Sequence, residues 1–131
     1  MKYMLDTNIC IYAMKKQTAV LQKLTSIDPD EICISSITLS ELMYGIQKSG
    51  HKDENTSKLL NFLAVVSVLD YGGNASLSYG KIRTQLEKQG QPIESMDLLI
   101  ASHALSEGLI LVTNNEKEFR KVQNLRIENW T

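Results

Sequence analysis

The chain has 131 residues, of which 43% are hydrophobic and 22% are charged, with two prolines and seven glycines. This composition is typical of a globular domain and excludes intrinsic disorder, a collagen-like repeat and a disulfide scaffold. The longest segment without a charge, residues 59–69, is too short to span a bilayer, and Asp6 would interrupt an N-terminal signal core. Cys10 and Cys33 lie in apolar segments. We therefore expect one cytoplasmic domain over residues 1–131, with reduced thiols and no membrane contact.

The charges are balanced along the chain and do not indicate a partner. The sequence has 14 basic and 15 acidic residues, a net charge of −1. Each half carries seven basic residues, with seven acidic residues in the first half and eight in the second. Because there is no basic tail or block, any nucleic-acid partner must be inferred from a specific site.

Short apolar segments alternate with segments of helical spacing in the first half of the chain. The predicted elements are a buried strand at 2–5, a polar turn at 6–8, a helix at 18–24, a strand at 32–34, a helix from Thr38 to about 49–50, with Leu39, Leu42, Met43 and Ile46 on one side, and a polar loop at 51–57. Pro29, between two aspartates, separates the helix at 18–24 from the strand at 32–34.

The second half continues the same alternation. The predicted elements are a helical stripe at 59–66 that includes Leu60, a strand at 66–69, a helix at 74–89, a helix at 95–106, a strand at 109–112, a polar turn at 113–115, a short helix at 116–120 and an edge strand at 125–130. Gly90 and Gly108 follow helices, as expected of helix-terminating residues. Strands that alternate with helices predict a three-layer α/β/α sandwich with a short, mostly parallel central sheet.

Three polar residues lie at or near the ends of predicted strands, and a fourth lies at the start of a helix; together they form the candidate site. Asp6 follows the first strand, Glu41 lies in the helix after the second strand, and Asn115 follows the strand at 109–112. Asp97 lies at the start of the helix that precedes that strand. In open α/β sheets, ligands bind outside the carboxyl ends of the strands, so these side chains are candidates for one site.

If the three carboxylates converge, they need a proton or a cation. Two carboxylates about 4 Å apart repel by about 4 kcal/mol at an effective dielectric constant of about 20. Carboxylate oxygens completed by water suit Mg²⁺ or Mn²⁺. Such a site activates water for attack on a phosphodiester, which indicates metal-assisted hydrolysis of nucleic acid.

Each of these residues also has a purely structural explanation. Asp6 could cap the helix that follows it, and Glu41 could form a capping box with Thr38. Asp97 could favour the positive end of its helix dipole, and Asn115 could occupy a left-handed turn. The structural explanation would then require four separate roles at one edge of the sheet, so a single shared site is the simpler interpretation.

Other kinds of site find less support. His51, His103, Cys10 and Cys33 lack the spacing of a zinc site, and no glycine-rich phosphate loop is present. Ser35 and its neighbour do not form a nucleophile elbow. His103 lies on a different helix face from Asp97, which indicates a packed or surface residue rather than a catalytic one.

Four segments in register carry a family resemblance that covers the chain. They are Met-Leu-Asp-Thr-Asn-Ile at 4–9, Ser-Ser-Ile-Thr-Leu-Ser-Glu-Leu at 35–42, Gly-Gln-Pro-Ile-Glu-Ser-Met-Asp at 90–97 and Leu-Val-Thr-Asn-Asn-Glu-Lys-Glu-Phe at 111–119. These segments resemble the PIN-domain ribonucleases, in particular the VapC toxins that cut initiator tRNA. The ending at 125–130, Leu-Arg-Ile-Glu-Asn-Trp, also resembles that branch.

The resemblance implies a Mg²⁺-dependent endoribonuclease, with Mn²⁺ as a substitute, that cuts tRNA(fMet) in its anticodon region and inhibits translation. Asp6 and Asp97 would be metal ligands, and Glu41 the third acid. The broader family has a fourth acid where this chain has Asn115, so either Asn115 or Glu118 would complete the catalytic set. A further departure is the segment Glu94-Ser95-Met96, where close relatives usually have a glycine and a non-acidic residue before the aspartate. The added negative charge would weaken substrate binding but leaves Asp97 in place.

The resemblance also implies partners. These are a VapB-type antitoxin that covers the site, operator DNA bound only through that antitoxin, and a homodimer or toxin–antitoxin hetero-oligomer. Basic residues that could contact RNA phosphates are Lys15, Lys81, Lys88 and Arg120.

Two alternatives stay open at this point. A receiver-type domain would need a second acid directly after Asp6 and a lysine after a late strand, but the chain has Thr7 and Asn114 there. A catalytically silent PIN domain that only binds an antitoxin would be consistent with Asn115.

Overall fold

A five-stranded parallel sheet forms the centre of the structure, a computed structural model that describes all 131 residues. The strand order is β3-β2-β1-β4-β5, and every neighbouring pair is parallel. The strands are β1 Tyr3–Leu5, β2 Ile32–Ser35, β3 Ser67–Leu69, β4 Ile110–Val112 and β5 Ile127–Glu128. The sheet is thus wholly parallel, where the sequence predicted a mostly parallel one.

Seven α-helices cover the two faces of the sheet. They are α1 Thr7–Met14, α2 Thr18–Thr25, α3 Ser36–Lys48, α4 Lys52–Leu63, α5 Gly73–Lys88, α6 Ser95–Ser106 and α7 Glu116–Phe119, and a 3₁₀ turn occupies Pro29–Glu31. Not one of these helices has the length and apolar character needed to cross a membrane.

The side chains of β1 show how the three layers form. Successive residues of a strand point to opposite faces, so Tyr3 and Leu5 join one buried cluster while Met4 joins the other. The first cluster contains residues of α1 to α4, and the second contains residues of α5 to α7. The predicted α/β/α sandwich is therefore confirmed.

The predicted loop at 51–57 is wrong, because α4 begins at Lys52. The polar residues of this segment form the first turns of an amphipathic helix, where Asp53 and Glu54 favour the positive helix terminus. Glu54 also pairs with Lys58 one turn later, at 3.4 Å. The helix is stabilised further along, where Leu59 and Phe62 pack into the core.

Two predicted apolar stripes are wider than the buried faces they form. Met43 on α3 and Leu60 on α4 are 50% and 62% exposed, whereas Leu42 and Leu59 beside them are buried. Apolar identity alone does not determine burial, because much of any protein surface is apolar.

The strand order creates a crevice between β1 and β4. The chain proceeds outward from β1 through β2 to β3, and then returns to place β4 on the other side of β1. At this point Leu5 lies opposite Val112, and the backbone N–H of Asp6 donates to the carbonyl of Val112 at 2.8 Å. Ligands of open parallel sheets bind at such a reversal of strand order.

Candidate metal-dependent nuclease site

Asp6 directly follows β1, at the point where the strand order reverses, and is only 4% exposed. It caps α1, because Oδ1 accepts a hydrogen bond from the backbone N–H of Thr7 at 2.8 Å. Oδ2 accepts from the hydroxyl of Thr113 at 2.9 Å. Burial raises the pKa of Asp6, the two hydrogen bonds oppose that shift, and the charge of Glu41 adds to it. The capping role is thus correct, and it leaves a buried carboxyl group beside a second acid.

Thr113 connects the end of β4 to Asp6. Its hydroxyl donates to Asp6 and accepts from the backbone N–H of Asn115 at 2.9 Å, so one side chain orders the turn. Asn115 has a φ of −99°, and its side chain does not cap α7. The left-handed turn suggested for Asn115 is therefore wrong, because the Thr113 hydroxyl holds the turn in an ordinary conformation.

Glu41 does not belong to a capping box. The N-cap of α3 is Ser35, whose hydroxyl accepts from the N–H of Ile37 at 3.0 Å, so Thr38 lies inside the helix and is fully buried. Glu41 instead accepts a hydrogen bond from the hydroxyl of Thr7 at 2.7 Å. Thr7 thus joins the start of α1 to the acid on α3, next to Asp6.

Asp97 lies in the first turn of α6, where the negative charges of four other acids act on it. Its pKa rises to about 6, first because of burial, and then because of the negative charges of Asp6, Glu94, Glu41 and Glu118. The structure therefore brings together all the acids that the sequence proposed for the site, with Glu94 in addition.

Ion pairs engage the charged residues of α7. Lys121 Nζ lies 3.2 Å and 3.1 Å from the two carboxylate oxygens of Glu118, and both side chains are largely buried. Arg120, a candidate RNA contact, pairs with Glu116 at 3.2 Å.

Sequence reasoning missed Thr7 and Thr113 as hydrogen-bond partners of the acids, and it did not predict that Lys121 pairs with Glu118. Thr7 and Thr113 are the first hydroxyl residues after β1 and β4, which is a signal that the sequence offers. Lys121 follows Glu118 at a spacing of three, a spacing that brings side chains together on a helix.

His103 is packed, as one of the two sequence interpretations had it. The residue is fully buried, and its Nδ1 lies 2.8 Å from the hydroxyl of Ser35. Its Nε2 has no hydrogen-bond partner, and the ring of Tyr71 meets it edge-on at 5.5 Å. Burial lowers the pKa of His103, while the charges of Glu107 and Asp70 oppose this shift.

The comparison with known families agrees with this geometry. The profile of the PIN domain matches residues 3–125. The chain belongs to the PIN-domain family. The receiver-type alternative is therefore wrong. Ribonucleases of the PIN family generally depend on a divalent metal ion.

Relatives place this PIN domain in the VapC group. It is 44% identical over 131 residues to the tRNA(fMet)-specific endonuclease VapC of Shigella flexneri, with 100% of this chain and 99% of that protein covered. It is 48% identical over 132 residues to ribonuclease VapC2 of Rickettsia felis, covering 99% and 98% of the two chains. A crystal structure of Rickettsia felis VapBC2 bound to a promoter DNA fragment contains a chain with a TM-score of 0.94 and 46% identity, with both chains fully covered.

The donor set of this PIN domain fits a divalent cation. All the candidate ligands are carboxylate oxygens, which are hard donors, and their mutual repulsion at Asp97 is what a cation would relieve. The structure contains no group of three or more acidic, histidine or cysteine side chains already at metal-ligating separations. Asp6 and Glu41 instead accept hydrogen bonds from Thr7 and Thr113.

The candidate RNA contacts lie on different surfaces of the PIN domain. Lys15 lines a groove of about 280 Å³ between α1, α3 and α4, which Glu41 also lines. Lys81 and Lys88 are exposed and line a groove on α5. The structure thus associates Lys15 with a site acid, and Lys81 with Lys88, but it does not join these two groups.

Proposed function

We propose that this chain is the toxin component of a type II toxin–antitoxin system and acts as a Mg²⁺-dependent endoribonuclease. One observation supports this proposal most strongly. The negative charges of Asp6, Glu41, Glu94 and Glu118 all act on Asp97, near the crevice between β1 and β4. The substrate is tRNA(fMet), cut in its anticodon region so that translation stops, which follows the named activity of the Shigella flexneri relative. This substrate places the protein in the cytoplasm.

In this proposal Asp6 and Asp97 hold Mg²⁺, with Mn²⁺ as a substitute, because both are carboxylates at the crevice. When bound there, the cation supplies positive charge to the attacked phosphodiester. Glu41, held by the Thr7 hydroxyl, orients the attacking water. Asn115 and Glu118 complete the polar rim from the β4 side, where Lys121 already holds Glu118.

RNA binding is assigned to basic residues around the crevice. Lys15 is favoured, because it lines a groove together with Glu41. Lys81 and Lys88 offer a second phosphate-binding surface on α5, and Arg120 a third near α7. Such contacts supply affinity rather than sequence recognition.

The partner is a VapB-type antitoxin in a toxin–antitoxin hetero-oligomer or bound to a toxin homodimer. The groove beside Glu41 suits an antitoxin segment with apolar side chains, since Ile11, Met14, Leu42 and Ile46 line it. A basic antitoxin residue would face the carboxylates at its end. Operator DNA is bound through the antitoxin, in keeping with the DNA-bound VapBC2 complex of Rickettsia felis.

The test is cleavage of purified bulk tRNA by antitoxin-free protein, with Mg²⁺ or with EDTA, followed by mapping of the fragment ends. We expect one discrete cut in initiator tRNA that EDTA abolishes. The D6N and D97N variants should lose more than about 100-fold in rate, because even the loss of a residue that only supports a metal ligand costs about 10- to 100-fold. The E54Q variant, which removes an exposed acid on α4, should retain full activity.

The outcomes separate the candidate functions. Retained cleavage by folded D97N would contradict the site, and cleavage of a different RNA would contradict the substrate. Mn²⁺ binding without cleavage of any RNA would favour the silent PIN module that Asn115 suggests.

A further inference from the structure

Glu94 caps α6 in a manner that directly involves Asp97. Its Oε2 accepts hydrogen bonds from the backbone N–H groups of Met96, at 3.1 Å, and Asp97, at 3.2 Å. Glutamate is not among the usual N-cap residues, which have shorter side chains. Here the longer side chain folds back over the first turn of the helix and holds the amide of the site residue itself.

The same carboxylate contributes charge to the crevice. Glu94 is exposed, and it forms no ion pair, whereas Lys121 pairs with Glu118. Among the charges that act on Asp97, only that of Asp6 has a larger effect than that of Glu94. Glu94 therefore adds negative potential at the rim of the crevice, where no basic side chain of this chain cancels it.

We propose that Glu94 is a positioning residue for the divalent-cation site, which fixes the backbone at Met96 and Asp97 through one hydrogen bond to each amide and strengthens cation binding through its unpaired charge. This inference rests on the proposed function. It assigns Glu94 no contact with substrate. A Glu94→Gln substitution separates the two effects, because glutamine keeps an oxygen that can cap the helix but has no negative charge.

The experiment compares wild-type protein with E94Q, E94A and the charge-matched control E54Q. Glu54 is exposed, on α4, and is not among the acids whose charges raise the pKa of Asp97. Binding of Mn²⁺ alone is measured by calorimetry without RNA, and hydrogen exchange of the Met96 and Asp97 amides is measured by NMR without metal.

We expect E94Q to weaken Mn²⁺ binding by about two- to fivefold, which is the range for one exposed charge. The Met96 and Asp97 amides of E94Q should stay protected from hydrogen exchange, because glutamine keeps the capping oxygen. E94A should weaken binding at least as much and should also speed exchange at both amides. E54Q should match wild type in both measurements.

Two results would overturn this inference and leave the proposed function intact. One is that the wild-type protein binds Mn²⁺ and E94Q binds it as tightly as E54Q does. The other is that the Met96 and Asp97 amides exchange at the same rate in E94A as in the wild-type protein. If the wild-type protein binds no Mn²⁺, the proposed function fails and this inference fails with it. A readout of fold alone, such as the circular dichroism spectrum, should be the same in all four proteins.

Discussion

Asp97 is the residue at which the electrostatics of the candidate site are concentrated. Its pKa rises to about 6, first because of its partial burial and then because of the negative charges of four other carboxylates. An aspartate that is hard to ionise in the folded protein is destabilising when it is ionised at neutral pH. The site therefore has a cost in stability while no cation is bound, as is common where function requires like charges to converge.

We predict that D97N stabilises the metal-free protein at neutral pH. The folded-state pKa lies above the ordinary value of 3.8, so the stability associated with Asp97 is present below pH 3.8 and is lost as the pH rises through about 6. In EDTA at pH 7.5, D97N should gain about 1–2 kcal/mol in free energy of unfolding, because one pKa unit corresponds to about 1.4 kcal/mol and water screens part of the repulsion.

Urea denaturation in EDTA at pH 7.5 and at pH 4.5 checks this prediction. The gain should be smaller at pH 4.5, where Asp97 of the folded wild-type protein is protonated. An equal gain at both pH values would show that the electrostatic explanation is wrong. Added Mn²⁺ should stabilise the wild-type protein more than D97N.

At the scale of elements, the helices and strands place side chains that are distant in the sequence at one edge of the sheet. The Thr7 hydroxyl on α1 meets Glu41 on α3, which is 34 positions away in the sequence. The Thr113 hydroxyl after β4 meets Asp6, 107 positions away. The positions of these helices therefore determine the geometry of the site.

The packing of helix α4 against the core can be tested directly. Phe62 is buried in the cluster that also contains residues of β1 and α1, whereas Leu60 on the same helix is 62% exposed. F62A should lower the free energy of unfolding by about 3–5 kcal/mol, because it leaves a cavity in the core. L60A should change it by less than about 0.5 kcal/mol. Urea denaturation of both variants makes the comparison, and equal losses would contradict the described packing of α4.

At the scale of the whole molecule, the C-terminal segment completes the sheet. The strand β5 pairs with β4, which contributes the Thr113 turn to the site. Trp130 follows β5 and is 6% exposed, and its ring meets that of Tyr3 on β1 edge-on at 5.1 Å. Its indole N–H donates to Glu128 at 2.9 Å. The first and last strands of the sequence are thus joined through one aromatic pair.

We predict that W130A destabilises the entire fold. Removing a buried tryptophan should cost about 3–5 kcal/mol of unfolding free energy, since the cavity would lie against β1. The matched control is L77A, because Leu77 on α5 is 61% exposed and its loss should cost less than about 0.5 kcal/mol. Thermal unfolding of both variants is the measurement. A small effect of W130A would mean that the C-terminal segment does not support the sheet.

Local pattern predicted most of the elements. The strands at 32–34 and 109–112 agree closely with β2 and β4, because short continuous apolar runs are typical of strands buried on both faces of a parallel sheet. The helix at 95–106 agrees with α6, because Gly108 marks where this longer apolar segment ends. The segment at 51–57 failed because its polar residues have no apolar period of their own. It is helical because the turns that follow it, with Leu59 and Phe62, are anchored in the core.

The sequence by itself determined the α/β class, the acids available for a site and the PIN-domain resemblance, because residue type and spacing are local properties of the chain. Only the tertiary structure decided that Thr7 and Thr113 hold Glu41 and Asp6, that Thr38 caps nothing, and that Glu94 holds the amide of Asp97. The contact of Thr113 with Asp6 depends on a strand order that returns β4 to the side of β1, and the contact of Thr7 with Glu41 joins the helices that follow the neighbouring strands β1 and β2. No local period encodes that return, since it follows from the joint packing of both faces of the sheet.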